Sequence, residues 1–156
     1  MTNNFAALLV CTALCVPAFA ADLTYQKDIF PLWDAQCSGC HGADSPYLGD
    51  FLKEEKKYVE DKKGPRMDSY ADLLHFVGWP DTGALMRRLD DGTGSADQKP
   101  GNMYKYLGDT DAERQTRFKV FKAWVGEDAW NHKRWNARGA VPAVTKEELN
   151  KIKAKY

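Results

Sequence analysis

The chain has 156 residues, a one-domain length, with 22 basic and 22 acidic side chains and a formal net charge of zero at pH 7. No stripe of Lys or Arg stands out, so the electrostatic footprint of a nucleic-acid partner is missing. All of the charge falls after residue 20.

Residues 1–20 hold an apolar run from Phe5 to Val16, then Pro17 and Ala18-Phe19-Ala20, small-bulky-small before Ala21. This is the grammar of a secretory signal peptide cleaved after Ala20, although a basic n-region is lacking. The run is too short to span a membrane comfortably, and no Lys or Arg flanks it. The bulky Val10 and Leu14 argue against lipid modification of Cys11 or Cys15. The expected mature chain begins at residue 21, is periplasmic in a bacterial-type cell, and has no membrane span. It keeps Cys37 and Cys40 alone of the four cysteines.

The mature chain reads as mostly helical. A first helical segment over 23–41 has Thr24 or Asp28 as cap, Pro31 tolerable only in a first turn, and Ile29, Phe30, Leu32 and Trp33 as apolar surface. A second, 50–63, alternates acids and bases and stops at Gly64-Pro65. Ser69 with Asp72 caps a third, which carries Leu73, Leu74, Phe76 and Val77 and stops at Gly78-Trp79-Pro80. A short fourth runs from Ala84 to Leu89. Residues 91–102, rich in Gly, Ser and Asp, read as a loop. The clearest helix opens on a Thr110/Glu113 capping box, repeats Phe118, Phe121 and Val125 with Trp124 beside them, and closes at Gly126. The tail holds Trp130, Trp135, a turn around Gly139 to Pro142, and a last helix capped by Thr145 and Glu148 with Leu149 and Ile152 facing inward.

The string that carries chemistry is Cys37-Ser38-Gly39-Cys40-His41, the haem attachment signature. On a helical turn, positions i, i+3 and i+4 face one way. Two thiols so placed can each bond one vinyl group of a porphyrin, and the next residue brings an imidazole to the iron. Two other fates compete. Half of a zinc site needs two further ligands, and only the isolated His75 and His132 remain. A thioredoxin-like dithiol needs a parallel sheet, and no run rich in Val, Ile and Thr follows Cys40.

Over 23–126 the chain resembles the class I monohaem cytochromes c. A helix runs into Cys37-Ser38-Gly39-Cys40-His41-Gly42, a helical middle follows, and a loop bearing Met103 precedes an aromatic-rich core helix with Trp124-Val125. The resemblance implies an all-α domain at 21–126 wrapped around one covalent haem c, with a charged insertion and a C-terminal extension at 127–156. In that family the sixth ligand is commonly a Met thioether from the loop before the last core helix, which points to Met103 opposite His41. Met86, Met67 and His75 are the fallbacks: Met86 sits among core leucines, Met67 in a loop near the first site, and His75 would give a lower-potential bis-His centre. His132 lies in a polar turn and reads as surface.

Trp33, Phe76, Phe118, Phe121 and Trp124 read as core; Trp79, Tyr104 and Tyr106 are candidates for the haem edge, and Arg66, Arg87 and Arg88 for pairing with propionates. The implied function is electron transfer rather than enzymatic catalysis, with redox partner proteins docking transiently at the haem edge near the cysteines. The alternatives are a haem sensor or peroxidase-like protein with an open sixth site, and a thiol oxidoreductase.

Overall fold

The computed structural model describes residues 22–78, 83–95, 97–130 and 144–156. The signal-peptide reading, Trp79, His132, Trp135 and the 139–142 turn lie outside them.

Among the described residues the fold is helical, as expected, and no β-strand forms. A π-helical turn, Tyr25–Ile29, leads directly into α1, Phe30–His41. Thr24 caps the entry: its side chain accepts from Lys27 N at 3.3 Å, and its own N–H donates to Asp28 Oδ2 at 2.8 Å. So both cap candidates are used, reciprocally. Pro31, which has no N–H to give, falls in the first turn of α1. The wide turn just before it, with the Phe30 N–H bonded to Tyr25 O, lets one helical stretch continue past the proline.

The charged segment departs from expectation. It forms two short helices, α2 (Leu48–Lys53) and α3 (Glu55–Glu60), broken at Glu54 where φ is −129° and ψ is 38°. Its apolar stripe is too thin to hold one straight helix on the core: Phe51 is buried, but Leu52 and Val59 are exposed. Helix α4 (Tyr70–His75) is capped by Ser69, whose Oγ accepts from Asp72 N at 3.1 Å. Helix α5 (Ala84–Leu89) buries Leu85, Met86 and Leu89. After the loop comes a 3-10 turn at Tyr104–Leu107, then α6 (Asp111–Val125) with its Thr110/Glu113 capping box intact.

The core lies where α1 and α6 meet the ends of α4 and α5. Ile29 of the π-helical turn and Trp33 of α1 join Leu73, Phe76, Val77, Met86, Leu107, Phe118, Phe121, Trp124 and Val125, all nearly or fully buried. Past Gly126, the 3-10 turn Glu127–Ala129 and α7 (Lys146–Leu149) bring the chain end back to its start. Thr24 and Lys155 form an isolated parallel bridge, and Lys155 O accepts from Tyr25 N at 2.8 Å and from Trp124 Nε1 at 2.9 Å. Tyr70 donates its hydroxyl to Ala154 O at 2.7 Å. Leu149 corrects the inward reading of the last helix: it is 44% exposed, because α7 ends after one turn and only Ile152 reaches inward, against Gly78. No helix among the described residues is long and apolar enough to cross a membrane.

Candidate haem-attachment site

The last turn of α1 carries Cys37, Cys40 and His41. Cys40 is exposed, while Cys37 is partly buried and touches the core. One loop wraps the back of this turn. Gly64 N donates to Cys40 O at 2.8 Å, Met67 N donates to His41 O at 2.9 Å, and Arg66 N donates to Pro46 O at 2.7 Å. Ser45 Oγ adds a second donor to Cys40 O at 2.9 Å, and Lys63 Nζ reaches Gly39 O at 3.3 Å. The bonds to Gly39, Cys40 and His41 satisfy carbonyls that the end of a helix leaves without intrahelical partners.

The imidazole itself is oriented. His41 Nδ1 lies 2.8 Å from the Pro65 carbonyl, which can only accept, so Nδ1 carries the proton and Nε2 the lone pair. A backbone carbonyl behind the ring is the usual partner of a metal-ligating histidine. Gly64 packs against the other ring atoms: a Cβ there would stand 2.6 Å from Nδ1 and 2.9 Å from Nε2. Burial holds His41 below its ordinary pKa, the Pro65 bond opposes this, and the charge of Arg88 adds to the lowering. The neutral imidazole is the form that binds iron.

The thiols have a different chemistry from a redox pair. Burial, then the neighbouring Cys40, pushes the Cys37 thiol up to about 12. A reactive dithiol needs a depressed pKa, which helix N-termini supply; these cysteines lie at the C-terminal end of α1. Among the described residues no three of His, Cys, Asp and Glu gather as a metal cluster, so nothing there completes a zinc site. Two thiols one turn apart, beside an oriented imidazole with a free Nε2, do fit a c-type haem.

The candidates for the opposite side separate clearly. Met67 belongs to the loop that holds the back of His41. Met86 is 2% exposed, inside the core. His75 ends α4 and has a buried Nε2 with no hydrogen-bond partner among the described residues. Met103 is partly exposed and packs against the core from the loop before the Tyr104–Leu107 turn. Of the arginines, Arg66 is held in a bidentate pair by Asp68, at 2.6 and 2.8 Å, and Arg88 Nη1 donates to Asn102 Oδ1 at 3.0 Å. Tyr104 is buried edge-on to Phe118, and Tyr106 is exposed.

The model of the PccH cytochrome c family matches residues 24–156. The chain belongs to the PccH cytochrome c family. A solved structure, the monoheme cytochrome PccH from Geobacter sulfurreducens, is 52% identical with a TM-score of 0.75, over 86% of this chain and 98% of that one. Comparison with curated proteins gives no match. As a member of this family the chain is a small helical electron-transfer protein with one covalently bound haem c. The family match runs through 127–156, so the tail belongs to this cytochrome family, although it lies past the stretch that resembles class I members.

Sequence reading missed two parts of the site. Gly64-Pro65 is legible only as a helix stop, yet it supplies the imidazole's partner and its close packing. The link between Arg88 and Asn102 joins residues fourteen apart that show no common pattern.

Proposed function

We propose that this cytochrome is periplasmic after removal of residues 1–20, binds its haem through Cys37, Cys40 and His41, and carries single electrons with Met103 as the sixth iron ligand. The observation that carries the reading is the oriented imidazole: His41 follows Cys40 at the end of α1, and Pro65 O engages Nδ1, which leaves the Nε2 lone pair as the one that would bind iron. Bound there, the haem supplies a one-electron Fe(III)/Fe(II) couple. The chain's own part is to keep geometry constant through that change. Cys37 and Cys40 would tether the ring, His41 would stay neutral and aimed, and the buried core of Trp33, Phe118 and Phe121 would back the site with apolar surroundings. Such surroundings favour the less charged iron state. A thioether opposite the imidazole raises the potential relative to a second imidazole.

The exposed Cys40 edge, flanked by Lys63, is the proposed contact point for redox partner proteins. The test is Met103→Ala. Loss of the far-red sulfur-to-iron charge-transfer band, with a lower potential, supports the ligand; an unchanged spectrum removes it. A second reading for the sixth position rests on the buried Nε2 of His75, which has no hydrogen-bond partner among the described residues. It predicts that His75→Ala, not Met103→Ala, changes the spectrum.

A further inference from the structure

We infer that Gly101 and Asn102 are positioning residues for the sixth ligand: they seat the Met103 loop on the C-terminal carbonyls of α5, and that helix end sets where the thioether can reach. This rests on Met103 being the ligand.

Helix α5 has six residues and ends with carbonyls that lack intrahelical partners. The incoming loop supplies donors to them. Gly101 N donates to Asp90 O at 2.8 Å, and Met103 N donates to Arg88 O at 2.9 Å. The approach is too close for a side chain. A Cβ on Gly101 would overlap the carbonyl oxygens of Arg87 and Arg88 and lie 2.5 Å from the Arg88 carbonyl carbon. Those atoms are helix backbone and cannot move aside cheaply, so close approach is what requires glycine here. Asn102 adds a side-chain tie, its Oδ1 accepting from Arg88 Nη1 at 3.0 Å.

The seat leaves Met103 half fixed. Its N–H is used by Arg88 O and its carbonyl accepts from Tyr106 N at 3.0 Å, opening the Tyr104–Leu107 turn. Leu107 then anchors that turn in the core. The backbone is therefore pinned on both sides, while the thioether is a flexible, unbranched arm. The base it swings from is rigid, because Leu85, Met86 and Leu89 bury α5.

The experiment compares Gly101→Ala, Asn102→Ala and Met103→Ala with the parent as holoproteins. It reads the ferric far-red charge-transfer band and carbon monoxide binding to the ferrous form, with haem content and far-ultraviolet circular dichroism as controls. Met103→Ala should abolish the band. Gly101→Ala should abolish or strongly weaken it with haem content and helicity kept, and Asn102→Ala should bind carbon monoxide several-fold faster than the parent. If Met103→Ala removes the band while both other variants keep it and bind carbon monoxide at the parent rate, the seat is refuted and the ligand stands. If Met103→Ala leaves the band intact, the ligand assignment itself fails. Should Gly101→Ala not fold, the rate for Asn102→Ala decides.

Discussion

The two loops that flank the site are built on different plans. The loop at 61–67 grips the Cys37–His41 turn directly: Gly64 and Met67 bond its carbonyls, Pro65 bonds the His41 ring, and Gly64 packs on that ring. The loop at 99–103 bonds to α5 instead, and the polar contacts around Met103 stop at its backbone. On the proposed ligand set, His41 is held by its functional atoms and Met103 by its base. The difference teaches that the proximal grip reaches the imidazole ring itself, with Pro65 and His41 24 residues apart, whereas the distal ties, with Arg88 and Asn102 14 residues apart, hold backbone and neighbours and leave the thioether unheld. Distal changes should therefore tune the centre, and proximal changes should break it.

The sharpest way to break this contrast is Gly64→Ala. The new methyl group meets ring atoms that Pro65 O already holds, so neither partner can give way. Overpacking of this kind costs about 1–3 kcal/mol. We expect low haem content per chain and a depressed melting temperature; normal values for both would show that the proximal grip is loose. Met103→Ala should be milder. It is expected to keep haem content and fold while opening the sixth position to carbon monoxide, and a collapse of haem content would make the distal side as structural as the proximal one.

Acid sharpens the comparison next, because the proximal loop runs into a charged brace, Arg66 with Asp68. The Arg66 hydrogen bonds hold the Asp68 carboxyl below its ordinary pKa, against the opposing effect of burial. Between the lowered value and the ordinary one near about 4, the folded chain binds fewer protons than the unfolded chain. The contribution is thus complete above the ordinary value and is lost as pH falls through the lowered one. Melting temperatures should fall less between pH 6 and acid in Asp68→Asn than in the parent (pH values roughly spanning the carboxylate range). Equal falls would remove the brace. The smallest effect is expected outside both loops. Thr110→Ala removes the α6 cap and should cost about 1 kcal/mol in denaturant unfolding with an unchanged spectrum.

Much of this was legible in the residues because the signals were local. Cys37, Cys40 and His41 share one turn, so spacing alone sets their common face. Thr110 and Glu113 likewise announce α6, and Leu85 and Leu89 announce α5. The charged segment misled, since its alternating charges suit a helix of any length and do not mark the break at Glu54, beside which Phe51 is buried while Leu52 and Val59 are exposed. Leu149 misled for the same reason: periodicity shows a pattern, but a one-turn helix gives it little to face. The two loop seats were invisible because they are made largely by backbone atoms, with side-chain ties between residues far apart in sequence. A glycine forbidden to carry a Cβ looks, in sequence, like any other glycine in a turn.

The central claim is a covalent haem tethered by Cys37 and Cys40 and ligated by His41. The most direct measurement is the visible spectrum of the exported mature protein, oxidised and reduced, before and after acid–acetone extraction. The account predicts an intense Soret band that stays with the protein through extraction in the parent and is lost from it when Cys37 and Cys40 are both replaced by Ala. A parent that is colourless from a host competent in haem c maturation, or whose colour is extracted, would contradict it.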